Sequence, residues 1–295
     1  MTRLDYLLYG TVVLIWGSSW IALRMQLGAV EPEVSVFWRF ALALSFMLVW
    51  ALVKREPLAF PFALHLRFAV LGALLFSGNF VFFYYGGLTT PSGLLAVIFS
   101  LASIVNLLIG SALTRRWPSG KLALGGMIGA MGSGLMFAPQ IIGQTFDYRA
   151  SIGLGLSLFG TLCFCVGNVV AASVQRRNVS VLSSTVWGMV YGELSLLIVL
   201  LIERKPLTMA WTVPYWSALV FLSFFGSVVA FSCYLTLLGR IGAARAGYST
   251  VLFPVIALAL STLLEGYQWT IPAVIGLGFV LIGNFIVLRG PSRQS

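Results

Sequence analysis

The sequence predicts an all-α integral membrane protein, with ten transmembrane helices arranged as two inverted five-helix repeats and both termini in the cytoplasm. Three observations predict this. The chain is too apolar for water: 59% of its residues are hydrophobic, 9% are charged and the mean hydropathy is +0.99, where a soluble domain carries about 25% charge. Its apolar runs are long and recur along the whole chain. A stretch near the start also returns far downstream, Gly10 to Trp20 (GTVVLIWGSSW) being echoed by Gly160 to Val170 (GTLCFCVGNVV).

A helix crossing a bilayer needs about 20 apolar residues, and its backbone polar groups must be satisfied within the helix itself. Runs of that kind lie at about 6–26, 34–53, 67–87, 92–113, 120–138, 151–174, 181–202, 215–238, 246–264 and 270–288. They leave short loops and no room for a soluble domain. The ten-residue alternation of a β-barrel is absent. The first run continues too far, and too many follow it, for a cleaved signal peptide.

Lysine and arginine set the orientation. Arg3, Lys54, Arg55, Arg67, Arg115, Arg116, Lys121, Arg176, Arg177, Arg240, Arg245, Arg289 and Arg293 share one set of loops and tails; Arg24, Arg149, Arg204 and Lys205 share the other. The richer set belongs in the cytoplasm. The net charge of +10 is then a topology signal, and no nucleic-acid partner is expected.

The echo extends further. Trp38 and Ser45 correspond to Trp187 and Ser195, and IFSLASIV (Ile98 to Val105) resembles LFPVIALA (Leu252 to Ala259). Each copy holds an odd number of helices, so tandem copies must run in opposite directions. The expected units are 1–138 and 151–295, joined by an outer linker at 139–150.

The last quarter runs from Phe253 to Leu288, with Pro254 in the ninth helix, Glu265 at its end and Gly276, Gly278 and Gly283 in the tenth. Together with Trp16-Gly17-Ser18 and Trp38-Arg39-Phe40, this resembles the EamA domain of the drug/metabolite transporter superfamily. The likeness covers essentially the whole chain. Ser100 departs from it, standing where the first repeat would place a counterpart of Pro254, so the two halves need not bend alike. The resemblance implies a secondary transporter of small metabolites. The bacterial branch most similar in length and aromatic content exports amino acids, aromatic ones included.

In inverted-repeat carriers the cargo site lies near the midplane, between the halves. Polar side chains there are costly in lipid and should face a cavity or another helix. Trp16, Ser19, Trp20, Asn79, Phe83, Phe99, Ser103, Asn168, Trp187, Tyr191, Tyr234 and Tyr248 are the candidate cavity residues. Amide and hydroxyl groups can meet the charged ends of an amino acid, and rings can face its ammonium or stack on its side chain. A cavity without fixed charges is expected, suited to neutral or zwitterionic cargo. Each of these residues has a second reading as interhelical packing.

Two charges fall inside spans, Arg39 and Glu193. Glu193 is a proton-coupling carboxylate, the ion-pair partner of Arg39, or a residue exposed at the interface. Pro254 and Gly86 are candidate hinges. Gly125 and Gly129 form a GxxxG that packs within the bundle or seams a dimer. His65 reads as an ordinary loop residue, and Glu265 as a loop anchor near the start of the tenth helix. Cys163, Cys165 and Cys233 fit neither a disulfide framework nor a metal motif, so no metal or cofactor is expected.

The expected partners are a small-molecule substrate and the lipid bilayer, with the chain a monomer or weak homodimer in a bacterial inner membrane. An exporter of drugs or nucleobases is the alternative. An intramembrane enzyme would need paired acids, metal ligands or a Ser/His pair, which the chain does not offer. No Walker motif is present.

Overall fold

A computed structural model describes residues 1–115, 120–142 and 148–288. Residues 143–147 of the expected linker, and Arg116, Arg289 and Arg293 of the orientation count, lie outside the described residues. Among the described residues all regular structure is helical. In chain order the helices are α1 (Arg3–Gln26), α2 (Pro32–Val53), α3 (Phe62–Gly87), α4 (Ser92–Thr114) and α5 (Gly120–Ile142), then α6 (Tyr148–Gln175), α7 (Val181–Ile202), α8 (Val213–Ile241), α9 (Arg245–Leu264) and α10 (Ile271–Leu288). Eight of them, α1 to α4 and α6 to α9, are long and apolar enough to cross a membrane, and α10 holds a shorter apolar stretch, Ile271–Gly283.

Local chemistry sets the ends. Thr2 and Asp5 form a capping box at the start of α1, with Thr2 N donating to Asp5 Oδ2 at 2.6 Å and Asp5 N donating to Thr2 Oγ1 at 3.3 Å. Arg240, near the end of α8, donates to the same carboxylate at 2.6 Å. Proline opens α2 at Pro32 and α8 at Pro214, where its missing N–H costs nothing. His65 lies inside α3 rather than in a loop, because that helix already begins at Phe62, behind Pro61.

Four helices are interrupted. In α3 the segment Gly72–Gly78 is π-helical, and in α8 so is Leu222–Val229; the two begin 150 residues apart. A π turn holds an extra residue and loosens the backbone ladder. In α9 a 3-10 turn, Tyr248–Leu252, gives way to a helix with Pro254 in its first turn. The counterpart in α4 also breaks, at Leu101, without a proline. There Ser100 Oγ donates to the Val97 carbonyl at 2.6 Å and Ser103 Oγ to the Ser100 carbonyl at 2.9 Å. Serine back-bonding of this kind bends helices, so both halves are interrupted although only one carries the proline.

The halves also exchange matching hydrogen bonds. Trp38 Nε1 of α2 donates to the Thr208 carbonyl at 3.0 Å, and Trp187 Nε1 of α7 donates to the Leu58 carbonyl at 2.9 Å.

The main core lies between α1, α2, α3, α4, α6, α7, α8 and α9. Outside it, α5 and α10 touch backbone to backbone. A Cβ placed on Gly276 would lie 2.5 Å from the Gly132 carbonyl oxygen, and one on Gly283 would lie 2.5 Å from that of Gly125 and 2.8 Å from Gly129 N. The Gly125/Gly129 face is thus covered by α10. Gly86 sits at a close crossing of α3 and α6, where a Cβ would come 2.9 Å from the Gly153 carbonyl oxygen.

Polar ties close the ends of the bundle. Lys205, in the α7–α8 connection, pairs with Glu33 of α2 and with Glu203 at 2.9 Å, while Tyr85 donates to Glu33 at 2.8 Å. Burial alone would lower the pKa of Lys205, but its hydrogen bonds to Glu33, Glu203 and Tyr85 outweigh that and hold the ammonium above the usual lysine range. Glu265 accepts from Ser92 and Ser261, each at 2.5 Å, and lies 3.8 Å from Arg24. It therefore joins the end of α9 to α4 and α1, and the start of α10 is capped instead by Thr270, whose Oγ1 accepts from Ala273 N at 3.3 Å.

Candidate functional site

A cavity lies inside the core, lined by Trp16, Ser19, Trp20 and Leu23 of α1, Arg39 of α2, Asn79, Phe80 and Phe83 of α3, Phe99 of α4, Phe164 of α6 and Phe231 of α8. The α1 residues recur at i, i+3, i+4 and i+7, a single helical face. Every other contributor comes from an interrupted helix or packs against one. Asn79 and Phe80 follow the π segment of α3 at once, Phe231 comes two residues after that of α8, and Phe99 stands two residues before the break at Leu101.

The π segment of α8 is stitched to this wall. Trp16 Nε1 donates to the Gly226 carbonyl at 2.8 Å, a group the widened turn leaves available. Next to it, Arg39 Nε donates to Ser227 Oγ at 3.1 Å. A Cβ on Gly226 would lie 3.3 Å from Arg39 Nη2 and 3.4 Å from Ser19 Oγ. The indole of Trp16, the hydroxyl of Ser19 and the guanidinium of Arg39 therefore converge around one glycine.

The remaining lining is aromatic and edge-packed. Trp20 lies 5.1 Å from Phe83 and 5.6 Å from Phe99, Phe99 lies 4.6 Å from Phe164, and Trp16 lies 4.8 Å from Phe231, all at steep interplanar angles. The cavity has a volume of about 40 Å³. A ligand the size of an amino acid enters only if some of these rings turn aside.

The lining is not free of charge, contrary to the sequence-based expectation. Arg39 is 2% exposed, and an arginine stays cationic inside proteins. Its guanidinium carbon lies 4.3 Å from the centre of the Phe80 ring and 5.3 Å from that of Phe40, within cation–π reach. The expected pair with Glu193 is not formed, because Arg39 is directed to Ser227 on α8. Glu193 is buried on α7 outside the lining, and its Oε1 has no hydrogen-bond partner among the described residues.

Of the candidate residues, Trp16, Ser19, Trp20, Asn79, Phe83 and Phe99 come together here. Tyr234 stands behind the wall, 5.0 Å from Trp16, and accepts a 2.9 Å hydrogen bond from Asn168 Nδ2. Asn168 also donates to Asn106 Oδ1 at 3.4 Å. Ser103 is turned to the Ser100 carbonyl. Trp187, Tyr191 and Tyr248 are not brought to the cavity. The indole of Trp187 is taken by Leu58, its ring packs 4.4 Å from His65, and Tyr191 OH lies 3.1 Å from His65 Nδ1. Tyr248 is directed to the Leu122 carbonyl at 3.2 Å, within a separate cluster beside α10. Sequence reasoning missed Phe164 and Phe231 as lining; Phe164 lies within the echo of the first helix, which was the available signal.

Among the described residues no group of three His, Cys, Asp or Glu side chains could hold a metal. The three cysteines are free thiols.

Comparisons with known proteins agree on the class. Protein PagO of Salmonella typhimurium is 23% identical over 298 residues, covering 98% of this chain and 96% of its own. A protein of Escherichia coli K12 named Probable amino-acid metabolite efflux pump is 22% identical over 98% of this chain and 96% of its own. The Uncharacterized inner membrane transporter YedA of the same strain is 25% identical over 94% and 88%. A solved crystal structure superposes with a TM-score of 0.76 at 16% identity, covering 97% of both chains, a likeness of fold alone. The last two relatives bear the names of transporters rather than enzymes. The pattern of the EamA-like transporter family matches residues 4–138 and again residues 151–289, and on those two matches the chain, a multi-pass membrane protein, belongs to that family.

Proposed function

We propose that this transporter exports amino acids, aromatic and neutral ones foremost, together with related small metabolites, across a bacterial inner membrane by alternating access. The observation that carries the reading is the cavity itself. Its lining draws on α1 to α4 from one matched half and on α6 and α8 from the other. Cargo held there touches both halves, so a relative motion of the halves changes which side it faces. The stacked rings suit an apolar or aromatic side chain, and the polar groups suit the ends of an amino acid. The name of the Escherichia coli relative supports the substrate class, and that of YedA supports the location.

The topology proposed with it is ten spans in two inverted units, 1–138 and 151–295, with both termini cytoplasmic. It is supported by the π segments that begin 150 residues apart and by the reciprocal bonds of Trp38 and Trp187. Glu193 is the proposed proton-coupling group, since it is buried in a span and has no ion-pair partner among the described residues.

Purified protein in liposomes, loaded with labelled amino acids, tests the function. Saturable efflux that excess unlabelled L-phenylalanine blocks is the expected result. Failure to move any amino acid, with movement of a drug or nucleobase instead, would replace the substrate class.

A further inference from the structure

Arg39 is the one ionised side chain in the cavity wall. Among the described residues it has no carboxylate partner; its hydrogen bond runs from Nε to a neutral hydroxyl, Ser227 Oγ. Besides Ser227, the neutral hydroxyl of Tyr84 meets the guanidinium and itself donates to Gln26 Oε1 at 2.6 Å, and Nη2 lies at the point where Ser19 and Gly226 meet. A buried cation without an anion is an expensive arrangement in a membrane protein.

Nine buried polar side-chain atoms lack a partner among the described residues, and two of them belong to this same lining, the donor Trp20 Nε1 and the acceptor Asn79 Oδ1. The wall thus offers a cation without a counter-anion, an unpaired indole donor, an unpaired acceptor and an apolar remainder of five phenylalanines. This is complementary to a planar anion joined to an apolar body. A guanidinium presents parallel N–H groups that match both oxygens of a carboxylate.

We propose that Arg39 is the carboxylate-binding residue of the cavity, so that the cargo is a small organic acid with an apolar body and an amine carried alone is refused. The inference rests on the transport reading above and specifies the chemistry of its cargo. In an amino acid the ammonium goes to Asn79 Oδ1, and the side chain lies among the rings. Stacking on Phe80 holds the guanidinium in place in the free protein.

Binding to the purified full chain, by calorimetry in detergent, tests this with four probes: L-phenylalanine, 3-phenylpropionate, L-phenylalaninamide and phenethylamine. The two acids are expected to bind and to compete, with the amide and the amine at least tenfold weaker. Arg39→Gln is expected to weaken both acids tenfold or more and to change the amide less than twofold. Arg39→Lys keeps the charge but loses the fork, and should fall between. A loss of fold would weaken every probe alike, whereas the acid-to-amide ratio reports the guanidinium alone; if neither variant folds, the four probes on the unmodified chain still decide. Equal binding of acids and amide, acid binding untouched by Arg39→Gln, or no binding of either acid would each overturn the proposal. If the acids bind independently of Arg39 while labelled L-phenylalanine still crosses liposomes, the inference falls and the transport reading stands. If 3-phenylpropionate binds through Arg39 but no amino acid crosses, the amino-acid reading falls and Arg39 keeps its assignment.

Discussion

Trp16 and Trp20 lie one helical turn apart on the same face of α1, both buried and both in the cavity wall. They differ in their indole N–H: Trp16 Nε1 donates to the Gly226 carbonyl at 2.8 Å, whereas Trp20 Nε1 has no partner among the described residues. Replacing each with phenylalanine removes the same atoms, so the loss of ring area cancels to first order between the two variants. What remains is the hydrogen bond. Trp16→Phe leaves a buried carbonyl of the α8 π segment unpaired, at a cost of about 1–3 kcal/mol. Trp20→Phe removes a buried donor that was already unpaired, and so carries no such penalty. Trp16→Phe should therefore melt below Trp20→Phe by roughly 2–6 °C, taking about 2 °C per kcal/mol for a chain of this size. The assay is fluorescence-detected thermal unfolding of the full chain in one detergent, without cargo. Equal melting temperatures would refute the reasoning, because they would mean that the Gly226 carbonyl finds another donor. Reversal of the order would refute it as well.

Three further expectations follow from the same geometry. Lys205→Ala strips Glu33, which is 2% exposed, of its cation and should cost about 1–3 kcal/mol, discounted because water reaches the lysine. Since the folded pKa of Lys205 is raised, its contribution is complete below the unfolded value of about 10.4 and is lost only as pH climbs through the folded one. The gap in melting temperature between this variant and the unmodified chain should hence stay constant from about pH 6 to 9, and a gap that closes within that window would count against the bridge. Glu193→Gln should abolish the response of transport to a pH gradient while leaving exchange of labelled for unlabelled cargo intact; an unchanged response would remove Glu193 from coupling. Gly276→Leu drives a side chain into the Gly132 carbonyl and should cost at least about 1–3 kcal/mol, read as a lower melting temperature, whereas Gly278→Leu, where a Cβ meets nothing, should be tolerated.

Hydropathy located the helices because burial in lipid leaves an uninterrupted apolar run; the run expected at 181–202 is the helix Val181–Ile202. It placed the start of α3 too late, since His65 and Arg67 dilute the apolar signal while the helix already begins behind Pro61. Part of the cavity was legible for a similar reason: Trp16, Ser19 and Trp20 share a face at ordinary helical spacing. The other side was less so. A π turn adds a residue, which shifts the phase of everything beyond it, so the facing of Phe80 and Phe231 does not follow from uniform 3.6-residue counting. Arg39 showed itself as a charge within a span, but a sequence does not say which neighbour a side chain turns toward. Trp187 was read as cavity lining because its chemistry fits; its reciprocal with Trp38 is visible only once the two halves are laid against each other.

The contact between α5 and α10 has a mechanical consequence. Where two helices meet through glycines, no layer of side chains lies between them to yield or to settle into a second packing. The pair is stiff, like a strut beside the working core. Compliance must then be found elsewhere, and the places already short of regular backbone bonds are the π turns of α3 and α8 and the breaks in α4 and α9. All four border the cavity or its immediate backing, so the soft joints of this molecule sit around its central cavity and the rigid brace sits at its flank.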